Sequence, residues 1–295
     1  MNAAPVTQTG LWIRHGTSAD GNRILPLIYF EPYVHQQPGW RPVLDYITSP
    51  SVFLLLQKDD LPQAVWLASI EEDAVSWLRL FAVTYTLSPQ EAWTQLWSQA
   101  LPVLQQAGVE RLYALGTKGW LRSLLEGAGF RQGTTVRNLA WRRQPLPPRR
   151  PLPAEITLRP MELSDLEAAL ALDRLAFPNP WKMTRPDIER VFHEATASTV
   201  AVSPRGIVGY HISTSGVRGG HLARLAVHPQ AQRRGIGYAL VYDALTHFAQ
   251  EGAEWVTVNT WSDNLAAIQL YHRFGFHFLP EEHPLYCLDL APEGA

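Results

Sequence analysis

Six consecutive residues, Gln232-Arg233-Arg234-Gly235-Ile236-Gly237, follow an apolar stretch ending at Val227 and open a run in which Leu240, Ala244 and Phe248 fall on one helical face. Such a turn presents backbone N–H groups at a helix N-terminus, where the dipole favours an anion. Glycines let a phosphate approach the main chain closely, and the arginines add charge. The chemistry indicated is diphosphate binding. A dinucleotide fingerprint would need a third glycine where Leu240 stands, and a Walker loop would need Gly-Lys-Ser/Thr, so both rival phosphate sites are disfavoured. Hydrolytic motifs fail as well. His193-Glu194 has Ala197 where a zinc protease needs its second histidine, and Gly16-x-Ser18 has Asp20 in place of the closing glycine of a nucleophile elbow. Cys287 is the single cysteine, which excludes an intramolecular disulfide and any multi-cysteine zinc site. It reads as a small buried apolar residue, and no metal is expected.

The elements that must position this loop can be read around it. Residues 155–159 suit a strand, and Ser164 with Glu167 resembles a capping box opening a helix toward Phe177. A second helix is expected after Trp181. Residues 199–202 and 207–212 are β-branched runs split by Pro204-Arg205-Gly206 and predict a hairpin. Strands over 221–227 and 255–260 alternate with helices over 235–250 and 264–273, giving the order β-α-α-β-β-β-α-β-α-β.

The chain has 295 residues, enough for two domains that each bury a core. Lysine plus arginine is 25 and aspartate plus glutamate 27, a net charge of −2, which gives no footprint for nucleic acid. No basic segment followed by an apolar stretch stands at the start of the sequence, and the apolar run 52–56 is too short to span a bilayer, so a soluble cytoplasmic protein without membrane partners is expected. The five prolines and four arginines within 142–153 predict an extended, solvated linker over 142–154 between domains 1–141 and 155–295. The eleven tryptophans fall mainly at apolar-face spacing and read as core.

The two halves share anchors at matching spacing. Arg14 and Asp20 correspond to Arg159 and Asp165, Leu80 to Val83 to the strand ending at Val227, and Gly129-Phe130 to Gly275-Phe276. Two copies of one fold are expected.

Ala226-Val227-His228-Pro229 followed by Gln232 to Gly237 resembles the acetyl-CoA signature of the GNAT (GCN5-related N-acetyltransferase) superfamily. Asn264-Leu265-Ala266-Ala267, Leu270-Tyr271 and Gly275-Phe276 are similar to that family's closing helix and strand, and Phe177 with Pro180-Trp181 resembles the acceptor-side segment of bacterial enzymes that acetylate ribosomal-protein N-termini. The resemblance covers about residues 155–290. It implies an α/β (α+β) chain of two tandem GNAT-like domains, each a mixed, mostly antiparallel sheet flanked by helices, with acetyl-CoA as cofactor and direct attack by an amine in a ternary complex. Backbone groups of Leu225, Ala226 and Val227 would hold the pantetheine arm and thioester carbonyl, with the Val227 N–H as oxyanion donor. Gln232, Arg233, Arg234, Gly235, Ile236 and Gly237 would cradle the diphosphate, Asn264 would hydrogen-bond the pantetheine, Tyr238 and Ala267 would also contact the cofactor, and Tyr271 would protonate the departing thiolate. Where the ribosomal-protein enzymes carry a glutamate this chain has Asn259, which cannot take a proton. By strand alternation His221 shares a face with Ala223, Leu225 and Val227, and either His221 or a water near Asn259 serves as base. The acceptor is open between a peptide N-terminus and a small-molecule amine. A non-catalytic acyl-CoA-binding regulator is the alternative function.

The N-terminal copy lacks every cofactor feature. Its loop after Val83 reads Thr84-Tyr85-Thr86-Leu87-Ser88-Pro89-Gln90-Glu91, Leu125 stands in register with Tyr271 and Lys118 with Asn264. A degenerate, non-binding domain is expected.

Overall fold

The computed structural model describes residues 10–290. The chain forms two compact units, one of residues up to Gly133 together with those from Pro284 on, the other Thr134–His283.

In the C-terminal unit the sheet order is β7 (Arg131–Arg142), β12 (Trp255–Trp261), β11 (Gly219–Val227), β10 (Gly206–Gly216), β9 (Ala197–Ser203) and β8 (Thr157–Pro160), with only β11 and β12 parallel. Alternation sends Val256 and Val258 of β12 and Leu139 and Trp141 of β7 into one core, which α6 (Ile236–Gln250) and α7 (Leu265–Arg273) cover with Val241, Phe248 and Tyr271. Burying side chains of this size contributes roughly 1.5–3 kcal/mol each. The opposite face carries α4 (Leu166–Ala176) and α5 (Arg185–His193). Thr184 opens α5, its hydroxyl donating to the Asp187 carboxylate at 2.6 Å. The turn before α4 is closed by Asp165, which accepts from the Glu162 N–H at 2.8 Å, in place of the expected Ser164–Glu167 pair.

The N-terminal unit repeats the plan with order β1 (Leu11–His15), β3 (Ser51–Lys58), β4 (Leu61–Ile70), β5 (Val75–Val83), β6 (Arg111–Leu115) and β13 (His277–Asp289). Here α2 (Pro89–Gln106) and α3 (Gly119–Gly127) cover one face with Trp93, Leu96 and Leu125, and α1 (Gly21–Phe30) covers the other with Ile24 and Leu27. The duplication reaches individual ion pairs. Arg14 grips both oxygens of Asp20, and Arg159 grips Asp165 in the same way, each across six residues.

These borders differ from the composition reading of 1–141, 142–154 and 155–295, because pairing assigns the strands. Residues 136–142 of β7 pair with β12 inside the C-terminal unit, and 285–289 of β13 pair with β6 inside the N-terminal one. Residues 142–154 are mostly exposed and form no helix or strand beyond Arg142, but they are anchored at a few points. Leu146 packs on the α6–α7 core, Leu152 packs with Ile236 and Leu240, and Arg143 N–H donates to Glu254 O at 2.9 Å.

Candidate functional site

Strands β11 and β12 pair only at Gly219–Trp255, Gly220–Val256 and His221–Thr257. Beyond that point β11 stays with β10 and β12 with β7, so a split opens between them. The His228 N–H donates to Val208 O at 2.9 Å, which sets the phase of the antiparallel β10–β11 ladder. Arg224 and Ala226 direct their main-chain groups toward Ile212 and Tyr210, whereas Leu225 and Val227 direct theirs into the split. Gln232 Nε2 takes Val227 O at 3.2 Å. The Val227 N–H and both main-chain groups of Leu225 are thus offered to an extended, amide-bearing guest, and Ala226 is not.

At the mouth of the split, Arg233 and Gly235 adopt left-handed conformations with φ of 62° and 85°, turning the chain so that α6 starts with its first N–H groups facing out. A Cβ on Gly235 would meet nothing within 4 Å, leaving room for an anion against the backbone. One on Gly237 would lie 3.3 Å from Leu270 Cδ2, so that glycine also serves the contact of α6 with α7. The remaining loop side chains are otherwise engaged. Ile236 is core, Arg234 pairs with Glu155, and Tyr238 turns inward with its ring 4.6 Å from Phe274 and its hydroxyl donating to Pro148 O at 2.9 Å. Asn264 caps α7, accepting from the Ala267 N–H at 3.3 Å and donating to Thr260 Oγ1 at 3.1 Å.

Tyr271 is buried among the α6–α7 residues with its ring 5.6 Å from Phe276. Burial pushes its hydroxyl well above the usual tyrosine range, against the opposing pull of the Arg224 charge, so it stays protonated at neutral pH. His221 is held neutral by burial, its pKa below the ordinary histidine value, and its Nδ1 lies 2.9 Å from Thr257 Oγ1. It does not share a face with Leu225 and Val227. The register against β10 shifts between Ile212 and Ser213, leaving Ala223 as an extra residue, and this bulge reverses the alternation. His221 therefore sides with Arg224 and Ala226 on the α4 face, where Thr257, Asn259 and Trp261 also lie along β12.

On that face Arg224 Nε and Nη2 meet the Asp173 carboxylate at 2.7 and 2.8 Å, and Nη2 also donates to Trp181 O at 2.7 Å. The Tyr210 hydroxyl donates to Asp173 at 2.7 Å, as does the Met183 N–H at 2.9 Å. The guanidinium lies 3.4 Å from the Phe177 ring centroid, and Phe177 and Trp181 both pack on Trp261, the two indoles nearly parallel at 5.7 Å. Sequence reasoning flagged Phe177 and Trp181 but missed Arg224, Asp173 and Tyr210. The signal was a charged residue within the apolar stripe of α4 and another within an otherwise apolar strand.

Residues 166–276 match the model of the Acetyltransferase (GNAT) family. The C-terminal unit belongs to the GNAT family. A mycothiol acetyltransferase of Arthrobacter sp. (strain FB24) is 34% identical over 140 residues, 42% of this chain and 43% of the relative, and one of Streptomyces griseus subsp. griseus is 30% identical over 177 residues, 56% of this chain and 58% of the relative. The chain thus spans about half the length of the curated relatives it matches. A tandem GNAT protein from the clavulanic acid biosynthesis pathway superposes with a TM-score of 0.67 at 12% identity, covering 96% of this chain and 99% of that one. Both units therefore have the GNAT fold.

In the N-terminal GNAT fold the corresponding split is filled. Strands β5 and β6 pair at Val75–Arg111, Ser76–Leu112 and Trp77–Tyr113 and then part, as β11 and β12 do. Residues 80–83 of β5 are paired by β4 on one edge, and β2 (Tyr33–Gln36) takes the other, the edge that faces β6. Gln37 Oε1 accepts from the Leu115 N–H of β6 at 3.1 Å, and His35 Nδ1 lies 3.3 Å from Thr117 Oγ1. The absent glycines were legible in the sequence; this strand, only four residues long, was not.

Proposed function

We propose that the chain is an acetyl-CoA-dependent N-acetyltransferase that passes an acetyl group to a primary amine by direct attack in a ternary complex. The observation that carries this reading is the split between β11 and β12, continuous with the left-handed turn at Gly235. One end offers the main chain of Leu225 and Val227 to a pantetheine arm, the other the first turn of α6 to a diphosphate. Acetyl-CoA supplies the acetyl thioester. In this reading the Val227 N–H donates to the thioester oxygen as charge gathers there, and Tyr271 donates its proton toward the departing sulfur. A base must take the amine's proton, and neutral His221 on the acceptor face fits, directly or through a water near Asn259. The names of the relatives favour a small-molecule amine of the mycothiol kind over a peptide N-terminus.

The test is chromatographic measurement of CoA released from acetyl-CoA with glucosamine, cysteinamide or an alanine-initiated hexapeptide as acceptor, with product masses recorded. Release matched by a +42 Da acceptor supports the enzyme. Calorimetric binding of acetyl-CoA without release on any of these amines would favour a non-catalytic acyl-CoA-binding regulator.

A further inference from the structure

The two units meet the same architectural problem, and comparing their solutions isolates a set of residues that the fold itself does not require. The ladder partners Ile212–Arg224 in the C-terminal unit correspond to Leu67–Leu80 in the N-terminal one, each just before a one-residue bulge. Two residues back along the lower-numbered strand, Tyr210 corresponds to Val65. The Arg–Asp pairs that open both helices place Asp173 of α4 opposite Ile28 of α1. Where one copy has Arg224, Asp173 and Tyr210, the other therefore has Leu80, Ile28 and Val65, packed together as ordinary core. An ion pair buried between a helix and a sheet gains little over an apolar contact of similar volume, because desolvating both charges offsets their attraction. At these three positions the N-terminal unit makes the join without charge, its own buried Arg79–Glu71 pair lying one residue away at the bulge, so charge at the three positions calls for another reason.

That reason lies in the segment that follows the helix. After α1 the chain turns into β2 and occupies the split. After α4 the equivalent segment, 177–183, stays on the α4 face and bridges the two diverging strands, bonded to Arg224 of β11 and stacked on Trp261 of β12. Three contacts that hold it there end on the Arg224–Asp173 pair: the Trp181 carbonyl, the Met183 N–H and the face of Phe177.

We propose that Arg224, Asp173 and Tyr210 are positioning residues that clamp the 177–183 segment across the mouth of the split, keeping it out of the acyl-CoA slot and setting Phe177 and Trp181 as the wall against which the acceptor amine is held. This rests on the acetyltransferase reading for the identity of the ligand, but the clamp itself does not. Arg224 and Asp173 act through the segment they hold. The acceptor's non-reacting part meets an aromatic cluster of two stacked indoles with a phenyl ring edge-on to one of them, beside the uncharged Asn259 and Thr257.

The decisive variant carries the N-terminal unit's own solution: Arg224→Leu, Asp173→Ile and Tyr210→Val together. Because an apolar join of this kind is already built in the other unit, the triple variant is expected to fold, with its thermal midpoint within a few degrees of the parent. Amide exchange over 177–183 is expected to rise at least ~10-fold while exchange over β9 and β10 is unchanged. With the best amine of the panel above, KM for the amine is expected to rise ~10-fold or more, with the Kd for CoA measured in the absence of amine raised as well if the freed segment enters the slot. Arg224→Lys, which keeps charge but loses the two-pronged grip, is expected to fall between parent and triple variant. Parent-like exchange over 177–183 in the folded triple variant would overturn the clamp. An unchanged amine KM alongside loosened exchange would overturn the role of the wall. If the parent acetylates none of the amines, the acetyltransferase reading fails while the exchange experiment still decides the clamp. If the triple variant does not fold, exchange in Arg224→Lys decides it, an unchanged 177–183 segment again being the refuting result.

Discussion

Tyr271 and His221 stand on opposite sides of the proposed proton transfer, and their surroundings suit opposite duties. Burial keeps Tyr271 protonated and keeps His221 neutral, so the first can give a proton and the second take one. Tyr271→Phe retains the ring in its place beside Phe276 and removes the donor. Turnover is expected to fall by about 10²–10⁴-fold with little change in acetyl-CoA affinity, measured by steady-state kinetics and calorimetry. A His221 pKa below the ordinary value means that the acidic limb of the pH–rate profile lies below the usual histidine range, since the base works only when deprotonated. His221→Gln is expected to abolish that limb, and a profile with the limb intact would assign the base elsewhere. The placement of the loop glycines at the start of α6 and of Tyr271 on α7 was readable from sequence because it depends on local spacing. The face on which His221 lies was not, because alternation through β11 is broken at Ala223, and only the register against β10 reveals the extra residue.

At the scale of elements, the loop into α6 and the strand in the N-terminal split predict one acetyl-CoA site per chain. Calorimetry is expected to give a stoichiometry of one, and Gly237→Val to weaken that binding ~10-fold or more by crowding Leu270 and the first turn of α6. A second site surviving in that variant would contradict the filling of the β5–β6 split by β2. That strand also carries a pH signature. Burial pushes the His35 imidazole down to about 4 from its usual 6.5. Between those values the unfolded chain binds a proton that the folded chain excludes, so stability is complete above about pH 6.5 and is lost as the pH falls toward 4, by up to about 3 kcal/mol. Urea melts at pH 7.5 and pH 5 are expected to register this loss in the parent and little of it in His35→Gln. Helices and long strands were legible in the sequence through their apolar periods. β2 was not, because its four residues carry too little pattern and its partner lies far along the chain.

For the molecule as a whole, the assignment of strands to units outweighs the proline-rich stretch 142–154, which falls inside the C-terminal unit. A fragment starting at residue 155 lacks β7, leaving the edge of β12 unpaired and removing Leu139 and Trp141 from the α6–α7 core. It is expected to be poorly folded and not to bind acetyl-CoA, whereas a fragment of residues 134–283 is expected to give a cooperative melt and to bind it; the reverse result would restore the linker as the boundary. Among the described residues no helix is long and apolar enough to cross a membrane. The N-terminal split has one more implication. A peptide strand and a pantetheine arm are both thin chains carrying amides that pair with an exposed strand edge, and this sequence places the first where its duplicate leaves a slot suited to the second. In the N-terminal copy the chain itself thus takes the strand edge that, under the proposed function, a borrowed cofactor takes in the C-terminal one, so the duplicate is closed from within rather than merely stripped of its loop.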